Sequence, residues 1–279
     1  MSRGPYLSPA AGDICLRDGV GYQDLAGNCR LAFGSVFIER QGFPNPESQR
    51  RDLRSLYSPK AERALRVLLA EPRRPWRMQA LAEEARVSLG QAANVKKLLA
   101  DREWIEVTPE GFLLREPEAL LREWAGQYRQ RSEIHECFSL LPVSEIERRL
   151  MELSAAQRVR AALTEFSAAG CLAPFVRYQR ATAYWEGDRD SVVRSLELKR
   201  VPSGSNVRLL APYDEGVFYG GMIIDGLPIV SPHQAYLDLQ RAGLRSEEAA
   251  EELLARVLRR RWREGTRAAM RPRKPVARR

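Results

Sequence analysis

The sequence has no long apolar run. None approaches the ~18 to 20 residues that a membrane span requires, and the opening MSRGPYLSPAAGD lacks the apolar segment of a secretory signal. We therefore expect a soluble, cytoplasmic protein with no membrane partner. Hydrophobic residues still make up 44% of the 279 residues, so the chain should fold and has room for two or three compact units.

Metal ligands and catalytic motifs are also scarce. The four cysteines never form a CxxC pair, and the only histidines are His135 and His233. No cluster has a familiar metal-ligand spacing, so we expect free thiols in a reducing compartment and no bound metal. A Ser-His-Asp set, a phosphate-binding glycine loop and a nucleotide fingerprint are absent too. We therefore expect no cofactor and no catalytic residue.

Most of the chain has no excess of charge. The formal net charge is +9, from 45 Lys and Arg against 36 Asp and Glu. Residues 259–279 contain ten of the basic residues and a single acid, which leaves 35 residues of each sign elsewhere. The tail, residues 265–279, has too little apolar surface to fold and is predicted to be a disordered basic arm. Such an arm either attracts phosphate without sequence preference or only keeps the protein soluble.

Residues 58–116 show the order helix, helix, tight turn, helix, hairpin. SPKAERALRVLLAEP predicts the first helix, Met78 to Ala85 forms the second, and Ser88 with Gln91 is a capping box that starts the third. WIEV and FLLR around the turn TPEG predict a two-stranded hairpin. This is the order of a winged helix-turn-helix, whose third helix normally enters the major groove of DNA.

The third helix has an apolar face and a polar face. Its residues Ala92, Val95, Leu98 and Leu99 recur at helical spacing and should face the core. The candidate DNA-binding residues on the other face are Ser88, Gln91, Asn94, Lys96 and Lys97. Gln and Asn amides can pair with adenine, while lysines can neutralise phosphates or reach guanine. Because residues 58–116 have a net charge of only +2, a winged helix used for protein contact remains an alternative, with the basic tail as its only, nonspecific, nucleic-acid element.

Residues 117–132 predict a connecting helix. Leu120, Trp124 and Tyr128 recur at four-residue spacing, which is more typical of core or dimer packing than of a ligand site.

Residues 133–264 predict a mixed α+β domain. A capping box of Ser144 with Glu147 starts a helix, which SAAQRVRAALTEFSAAGCLAP continues. Strands are predicted in FVRYQRATAYWEG, NVRLLAPYDEGVF and GGMIIDGLPIVS, and Ser231 with Pro232 starts a further helix.

Residues 1–57 contain the strand-forming stretch CRLAFGSVFIER after the turn DLAGN. Asp24 and Asn28 lie at the ends of that turn, and a lone Asp beside glycine is more typical of a turn residue than of a catalytic group. The whole sequence thus predicts an α+β protein: a short β-containing N-terminal segment, a winged helix-turn-helix domain and a mixed α+β C-terminal domain.

One pattern favours a different function. In DRDSVVRSLELKR, Asp188 and Asp190 precede Glu197 and Lys199, in the order of the metal site of restriction-type nucleases. Such sites hold a metal ion with the acids and polarise the attacked phosphate with the lysine. The same order is common at a solvated helix edge. We therefore expect no enzyme and keep a metal-dependent nuclease or other phosphate-processing enzyme as the alternative.

Several stretches together resemble the AbiEi family of type IV toxin–antitoxin systems. The resemblance covers about residues 55–260 and rests on the third helix and hairpin, on EPEALLREWAGQY and on FSAAGCLAPFVRYQRATAYWEG. It is strongest in VSPHQAYLDL and RSEEAAE, whose matching residues are Leu237, Asp238, Leu239, Glu247, Glu248 and Ala249.

The resemblance implies a transcriptional repressor that acts as the antitoxin of an abortive-infection, or phage-defence, system. Its winged helix would bind the promoter of its own operon, and its C-terminal domain would neutralise a nucleotidyltransferase-like toxin without a stable complex. Double-stranded DNA, that toxin and a second copy of the chain are the expected partners. Residues 1–57 resemble a remnant of a restriction-endonuclease-like core found upstream in longer relatives, but they lack its acidic metal-binding residues and would serve to pack or dimerise.

Overall fold

The computed structural model describes residues 2–45, 56–129, 131–173, 178–243 and 246–269. The chain forms two compact units, Met1–Leu56 and Tyr57–Arg279. Each unit has a sheet of its own, and the second unit also has a two-stranded hairpin. The α+β class that the sequence predicts is therefore confirmed.

The first unit is a four-stranded sheet with one helix. Its elements are β1 (Ser2–Gly4), α1 (Pro9–Arg17), β2 (Tyr22–Asp24), β3 (Cys29–Phe33) and β4 (Val36–Arg40). The strands are adjacent in chain order; β1 and β2 are parallel, and the other pairs are antiparallel. The predicted strand-forming stretch is a hairpin, because Gly34 adopts a φ of 57° and lets the chain reverse between β3 and β4.

Asp24 is a turn residue, as its sequence context predicts. Its Oδ1 accepts hydrogen bonds from the backbone N–H groups of Gly27 at 2.9 Å and Asn28 at 2.8 Å, and its Oδ2 accepts one from Leu7 at 3.0 Å. Burial alone would raise the pKa of Asp24, but these hydrogen bonds lower it below its ordinary value. The carboxylate therefore holds loop backbone together.

The second unit begins with a helical module. Its elements are α2 (Pro59–Ala70), α3 (Met78–Glu84), α4 (Leu89–Ala100), β5 (Ile105–Thr108) and β6 (Gly111–Leu114). The two strands form an antiparallel hairpin. The core of the module is made of the buried apolar residues Leu65, Leu68, Leu69, Leu81, Ala92, Val95, Leu98 and Leu99. The last four of these are the positions at which the helical repeat of the third helix predicts an inward face.

The remainder of the second unit is a sheet domain with helices. Its helices are α5 (Pro117–Gln127), α6 (Val143–Gln157), α7 (Glu165–Leu172), α8 (Arg189–Ser195), α9 (Pro232–Leu239), α10 (Ser246–Leu253) and α11 (Arg259–Ala269). Its strands are β7 (Ile134–Phe138), β8 (Ala161–Leu163), β9 (Ala181–Trp185), β10 (Lys199–Arg200), β11 (Val207–Leu210), β12 (Met222–Ile224) and β13 (Leu227–Ile229). A 3-10 turn spans Glu215–Phe218, and a π-helical segment, Leu254–Leu258, joins α10 to α11.

The seven strands form one mixed sheet in the order β10-β7-β11-β9-β8-β13-β12. The pairs β9–β11 and β8–β13 are parallel, and the other pairs are antiparallel. Helices α6 and α7 both pack against β9, whose five residues are all buried. The strand predicted in FVRYQRATAYWEG is therefore confirmed over Ala181–Trp185, and its full burial shows that it is covered on both faces.

Two predictions about the start of the sheet domain are wrong. The residues Ser144 and Glu147 do not form a capping box, because α6 begins at Val143 with Pro142 in the cap position and no side-chain cap. Glu147 is buried instead, and its Oε2 accepts a hydrogen bond from the Tyr178 hydroxyl at 3.2 Å. Burial raises the pKa of this carboxyl. The Glu147 side chain therefore binds Tyr178, which is distant in sequence, and does not cap its own helix.

The helix that starts there is also shorter than predicted. It ends at Gln157, where Arg158 takes the left-handed conformation with a φ of 54°, and the alanine-rich stretch that follows contains β8. All three residues of β8 are buried between β9 and β13. Pairing and burial in the sheet therefore outweigh the helix propensity of alanine.

The C-terminal helix extends further than the composition of the tail predicts. Leu254, Leu258 and Trp262 are buried at four-residue spacing, so an apolar stripe holds this helical segment against the rest of the second unit. Helix α11 continues to Ala269. The rest of the predicted basic arm, residues 270–279, lies outside the described residues.

All four cysteines are free thiols. Within the described ranges, no helix is both long enough and apolar enough to cross a membrane.

Candidate nucleic-acid interface

Helix α4 starts where the sequence predicts. Ser88 is its N-cap, and the Ser88 Oγ accepts a hydrogen bond from the Gln91 backbone N–H at 3.2 Å. This bond satisfies one of the first N–H groups of the helix, which have no partner within the helix. The first turn of α4 is thereby fixed in a region where Ser88 and Leu89 are exposed.

The polar face of α4 is directed outward from the module core. Lys97 is exposed, and Gln91 and Asn94 are half-buried. The Nε2 of Gln91 is itself buried, although it has no hydrogen-bond partner in the part of the chain that the structure describes. No Asp or Glu occurs between Leu89 and Ala100. Helix α4 therefore carries lysines and side-chain amides and no acidic residue.

Lys96 plays a different part from Lys97. Its Nζ lies 5.3 Å from the centroid of the Phe112 ring, over a buried aromatic residue of β6. This cation–π contact ties α4 to the hairpin. The sequence places both lysines on the outer face, but Lys96 is half-buried and Lys97 is exposed.

The hairpin is fixed to the helices by a backbone pair. Trp76, between α2 and α3, donates its N–H to the Phe112 carbonyl at 2.7 Å and accepts from the Phe112 N–H at 3.0 Å. Gly111 has a φ of 152°, and a Cβ at this position would lie 2.5 Å from the Trp76 carbonyl oxygen. Only glycine allows so close an approach, so the hairpin and the start of α3 are in direct contact.

Basic residues that the sequence reasoning did not single out lie beside this contact. Arg73, Arg74 and Arg77 are all exposed in the segment between α2 and α3. Arg74 stacks its guanidinium 3.9 Å from the centroid of Trp76 and pairs with Glu71 at 2.8 Å. The signal for them was the stretch RRPWR, in which arginines surround one tryptophan. The hairpin itself exposes two acids, Glu106 and Glu110, so positive charge is concentrated on α4 and on this segment.

Ion pairs attach the module to the sheet domain. The Arg63 guanidinium of α2 binds the Asp214 carboxylate at 2.8 Å and the Glu215 carboxylate at 2.7 Å. Arg86, in the turn before α4, binds the second oxygen of Glu215 at 3.0 Å. Asp214 also accepts from the Gly216 N–H at 2.7 Å, which caps the 3-10 turn. The first half of α2 and the turn before α4 are therefore held on one acidic turn.

A buried polar network makes a second connection. Arg66 of α2 is fully buried and donates to the Gln234 Oε1 of α9 from Nε at 3.0 Å and from a terminal nitrogen at 2.7 Å. The Gln234 Nε2 in turn donates to the Asp238 carboxylate and to the Tyr128 hydroxyl, each at 2.9 Å. Tyr128 and Trp124 are buried, as the spacing in the connecting helix predicts.

Asp238 lies at the centre of this network. Its carboxylate accepts hydrogen bonds from the hydroxyls of Tyr128, Tyr184 and Thr164 at 2.9, 3.1 and 2.5 Å, as well as from Gln234. Burial nevertheless raises the pKa of Asp238 to about 7, because removal of the carboxylate from water outweighs these bonds. The network joins α2, the C-terminal end of α5, the N-terminal end of α7, β9 and α9.

The residues of the nuclease-like pattern do not come together as a metal site. The Asp188 carboxylate caps α8 by accepting from the Asp190 N–H at 2.8 Å, and Asp190 forms an ion pair with Arg200. Glu197 and Lys199 are exposed after the end of that helix. Across the described stretches, no group of three or more His, Cys, Asp and Glu residues is placed to hold a metal ion.

A comparison with protein-family models gives one match. The family is described as "Transcriptional regulator, AbiEi antitoxin, Type IV TA system", and its model matches residues 113–259, which is more than half of the chain. The match runs from β6 through the connecting helix and the sheet domain to the first residue of α11. No curated protein and no solved structure matches the chain. The chain therefore belongs to the AbiEi antitoxin family of type IV toxin–antitoxin systems, a family of transcriptional regulators.

Proposed function

We propose that residues 58–116 are a winged helix-turn-helix that binds duplex DNA, and that the protein represses its own operon as the antitoxin of a type IV system. Two features support the winged helix-turn-helix proposal: the order of three helices and a hairpin, and the β-bridge between Trp76 and Phe112. The family match supports the regulatory and antitoxin role.

One observation carries the DNA-binding proposal: α4 buries an apolar face and presents amides and an ammonium group on the opposite face, with no acid on the helix. A major groove about 12 Å wide accepts such a helix. Gln91 and Asn94 are the groups that read base edges, and an amide paired with adenine contributes ~1 to 3 kcal/mol of discrimination. Lys97 binds phosphate or guanine. Ser88 fixes the first turn, and Lys96 fixes the hairpin beside α4.

The antitoxin activity is assigned to the sheet domain, because the family model covers this domain and only the last strand of the hairpin. The functional partner is a nucleotidyltransferase-like toxin that is neutralised without a stable complex. A homodimer that reads two half-sites is the expected DNA-binding form, since helix-turn-helix readers of symmetric operators bind as dimers.

Binding to two duplexes tests the DNA-binding proposal. One duplex is selected by the wild-type protein from a random library, and the other is a scrambled sequence of the same composition. Replacing Gln91 or Asn94 with Ala should lower the preference for the selected duplex. Lys97→Ala should weaken binding to both duplexes and reduce the slope of log affinity against log salt by ~0.9. Lys199→Ala is the matched control, because Lys199 is an exposed lysine on the edge strand β10.

The proposal fails if the three α4 variants behave as Lys199→Ala does. A second experiment separates the two activities within the full chain. The Gln91→Ala/Asn94→Ala double variant should lose repression of a reporter that carries the operon promoter, yet still protect cells that express the toxin. Loss of both activities in a folded double variant would contradict the assignment of toxin neutralisation to the sheet domain.

A further inference from the structure

The net positive charge of the chain is carried by its C-terminal segment, which neither the family match nor the α4 proposal accounts for. Residues 259–279 have ten basic residues and one acid, and the remainder of the chain is neutral. The family match ends at Arg259, the first residue of α11. This helix therefore begins a basic segment of the sequence that lies almost wholly outside the matched residues.

Trp262 attaches α11 to the helical module. Its indole is buried, and its Nε1 donates a hydrogen bond at 3.0 Å to the carbonyl of Leu69, in the last turn of α2. The last four carbonyls of a helix have no partner within the helix, so Trp262 satisfies one of them. The basic helix is thus fixed to the same rigid element that carries Arg63 and Arg66.

Further contacts place the first turn of α11 beside the base of the hairpin. Arg259 forms a two-point ion pair with Glu118, at 2.6 and 2.8 Å, and Glu118 follows the end of β6 by four residues. Pro72, three residues after Leu69, accepts a hydrogen bond from the Leu114 N–H of β6 at 2.9 Å. Trp262 and Arg259 therefore contact the two chain segments that meet at the base of the hairpin.

Two exposed guanidinium groups on α11 have no acidic partner within the described residues. Arg259 and Arg260 pair with Glu118 and Glu264. Arg261 instead lies 3.1 Å from the Met222 sulfur, and Arg263 donates to the Arg259 carbonyl at 3.2 Å. The helix continues toward Arg267, and the residues after it include Arg271, Arg273, Lys274, Arg278 and Arg279.

We propose that α11 is a second DNA-binding element, whose exposed arginines bind the phosphate backbone of the duplex next to the bases read by α4. The proposal rests on the DNA-binding function proposed above. Three observations support it: the module alone has a net charge of only +2, its hairpin exposes two acids, and α11 is bonded to the module through Trp262. Arginine binds phosphate with paired N–H groups, and such contacts add affinity without sequence preference.

The test is the salt dependence of binding by full-length variants, on the selected and the scrambled duplex. Arg261→Gln/Arg263→Gln removes two charges from α11. Arg148→Gln/Arg149→Gln removes two charges from exposed arginines of α6 and is the matched control. Arg261→Lys/Arg263→Lys keeps the charge.

If both arginines contact phosphate, the Gln variant lowers the salt slope by ~1.8 on both duplexes. When the salt is raised from 50 to 200 mM, the affinity of the wild type then falls by a factor roughly ten times larger than the factor for the Gln variant. The ratio of affinities for the two duplexes stays unchanged, and the Lys variant keeps most of the slope.

The proposal is overturned if the α11 Gln variant changes the slope no more than the α6 control does. That outcome leaves the reading by α4 intact, provided that Gln91→Ala and Asn94→Ala still lower the preference for the selected duplex. The opposite outcome is a changed salt slope in the α11 Gln variant together with α4 variants that behave as Lys199→Ala does. That outcome supports DNA binding by α11 and contradicts the proposed reading of bases by α4. The two failures are therefore distinguishable.

Discussion

Asp238→Asn should change the pH dependence of stability. Asp238 is buried with a pKa of about 7, against an ordinary value of 3.8. Between these values the folded protein binds a proton that the unfolded chain releases, so the free energy of unfolding falls as pH rises. A difference of about three pKa units corresponds to about 4 kcal/mol, of which roughly 3 kcal/mol is lost between pH 5 and pH 8. Asn cannot ionise, so the variant should lack this loss.

Urea unfolding at pH 5, 6, 7 and 8 measures the effect. At pH 5 the variant should have a lower free energy of unfolding than the wild type. Between pH 5 and pH 8 the difference between the two free energies should shift by roughly 3 kcal/mol in favour of the variant. Asp225→Asn is the control, because Asp225 is exposed and its φ of 50° suits Asn as well as Asp. Parallel stability curves for wild type and Asp238→Asn would refute the reasoning, since the carboxylate would then be ionised in both states across this range.

Two further substitutions test the contacts that position the helical module, residues 58–116. Gly111→Ala should destabilise the protein by roughly 2 kcal/mol, because its methyl group would meet the Trp76 carbonyl at 2.5 Å; Gly126→Ala, in α5 with open space around it, should instead be neutral or stabilising in the same denaturation assay. Trp262→Phe keeps an aromatic ring but leaves the Leu69 carbonyl without its donor, so thermal unfolding should show a loss of about 1 to 3 kcal/mol. Wild-type stability in Trp262→Phe would mean that α11 is not held through this bond.

The elements that the sequence predicted correctly are those fixed by local chemistry. Helix α4 is an example, because Ser88 caps it and its apolar repeat matches the buried face. The hairpin is another, since a Pro/Gly turn separates two strand-forming stretches. The misread elements depend on partners distant in sequence. Glu147 binds Tyr178 instead of capping its own helix, and the alanines of β8 pair with β9 and β13.

The candidate site was predictable to the same extent. The sequence predicted Gln91, Asn94 and Lys97 on the outer face of a helix, because that face follows from the helical period alone. Of the three, Lys97 is exposed, whereas Gln91 and Asn94 are half-buried. It could not separate Lys96 from Lys97, since the position of Lys96 over Phe112 depends on how the hairpin packs. The attachment of α11 through Trp262 joins residues that are 193 positions apart, and no local pattern encodes such a contact.

The proposed contact between α4 and adenine is tested most directly by replacing one acceptor nitrogen of the DNA with a C–H group. In a series of selected duplexes, each adenine is replaced in turn by 7-deaza-adenine, which lacks the major-groove acceptor N7. Binding of wild type should weaken by about fivefold or more at specific positions, the equivalent of ~1 kcal/mol or more. At one such position Asn94→Ala, and at another Gln91→Ala, should be insensitive to the replacement. If each variant loses as much affinity as wild type at every position, α4 does not read bases in the major groove.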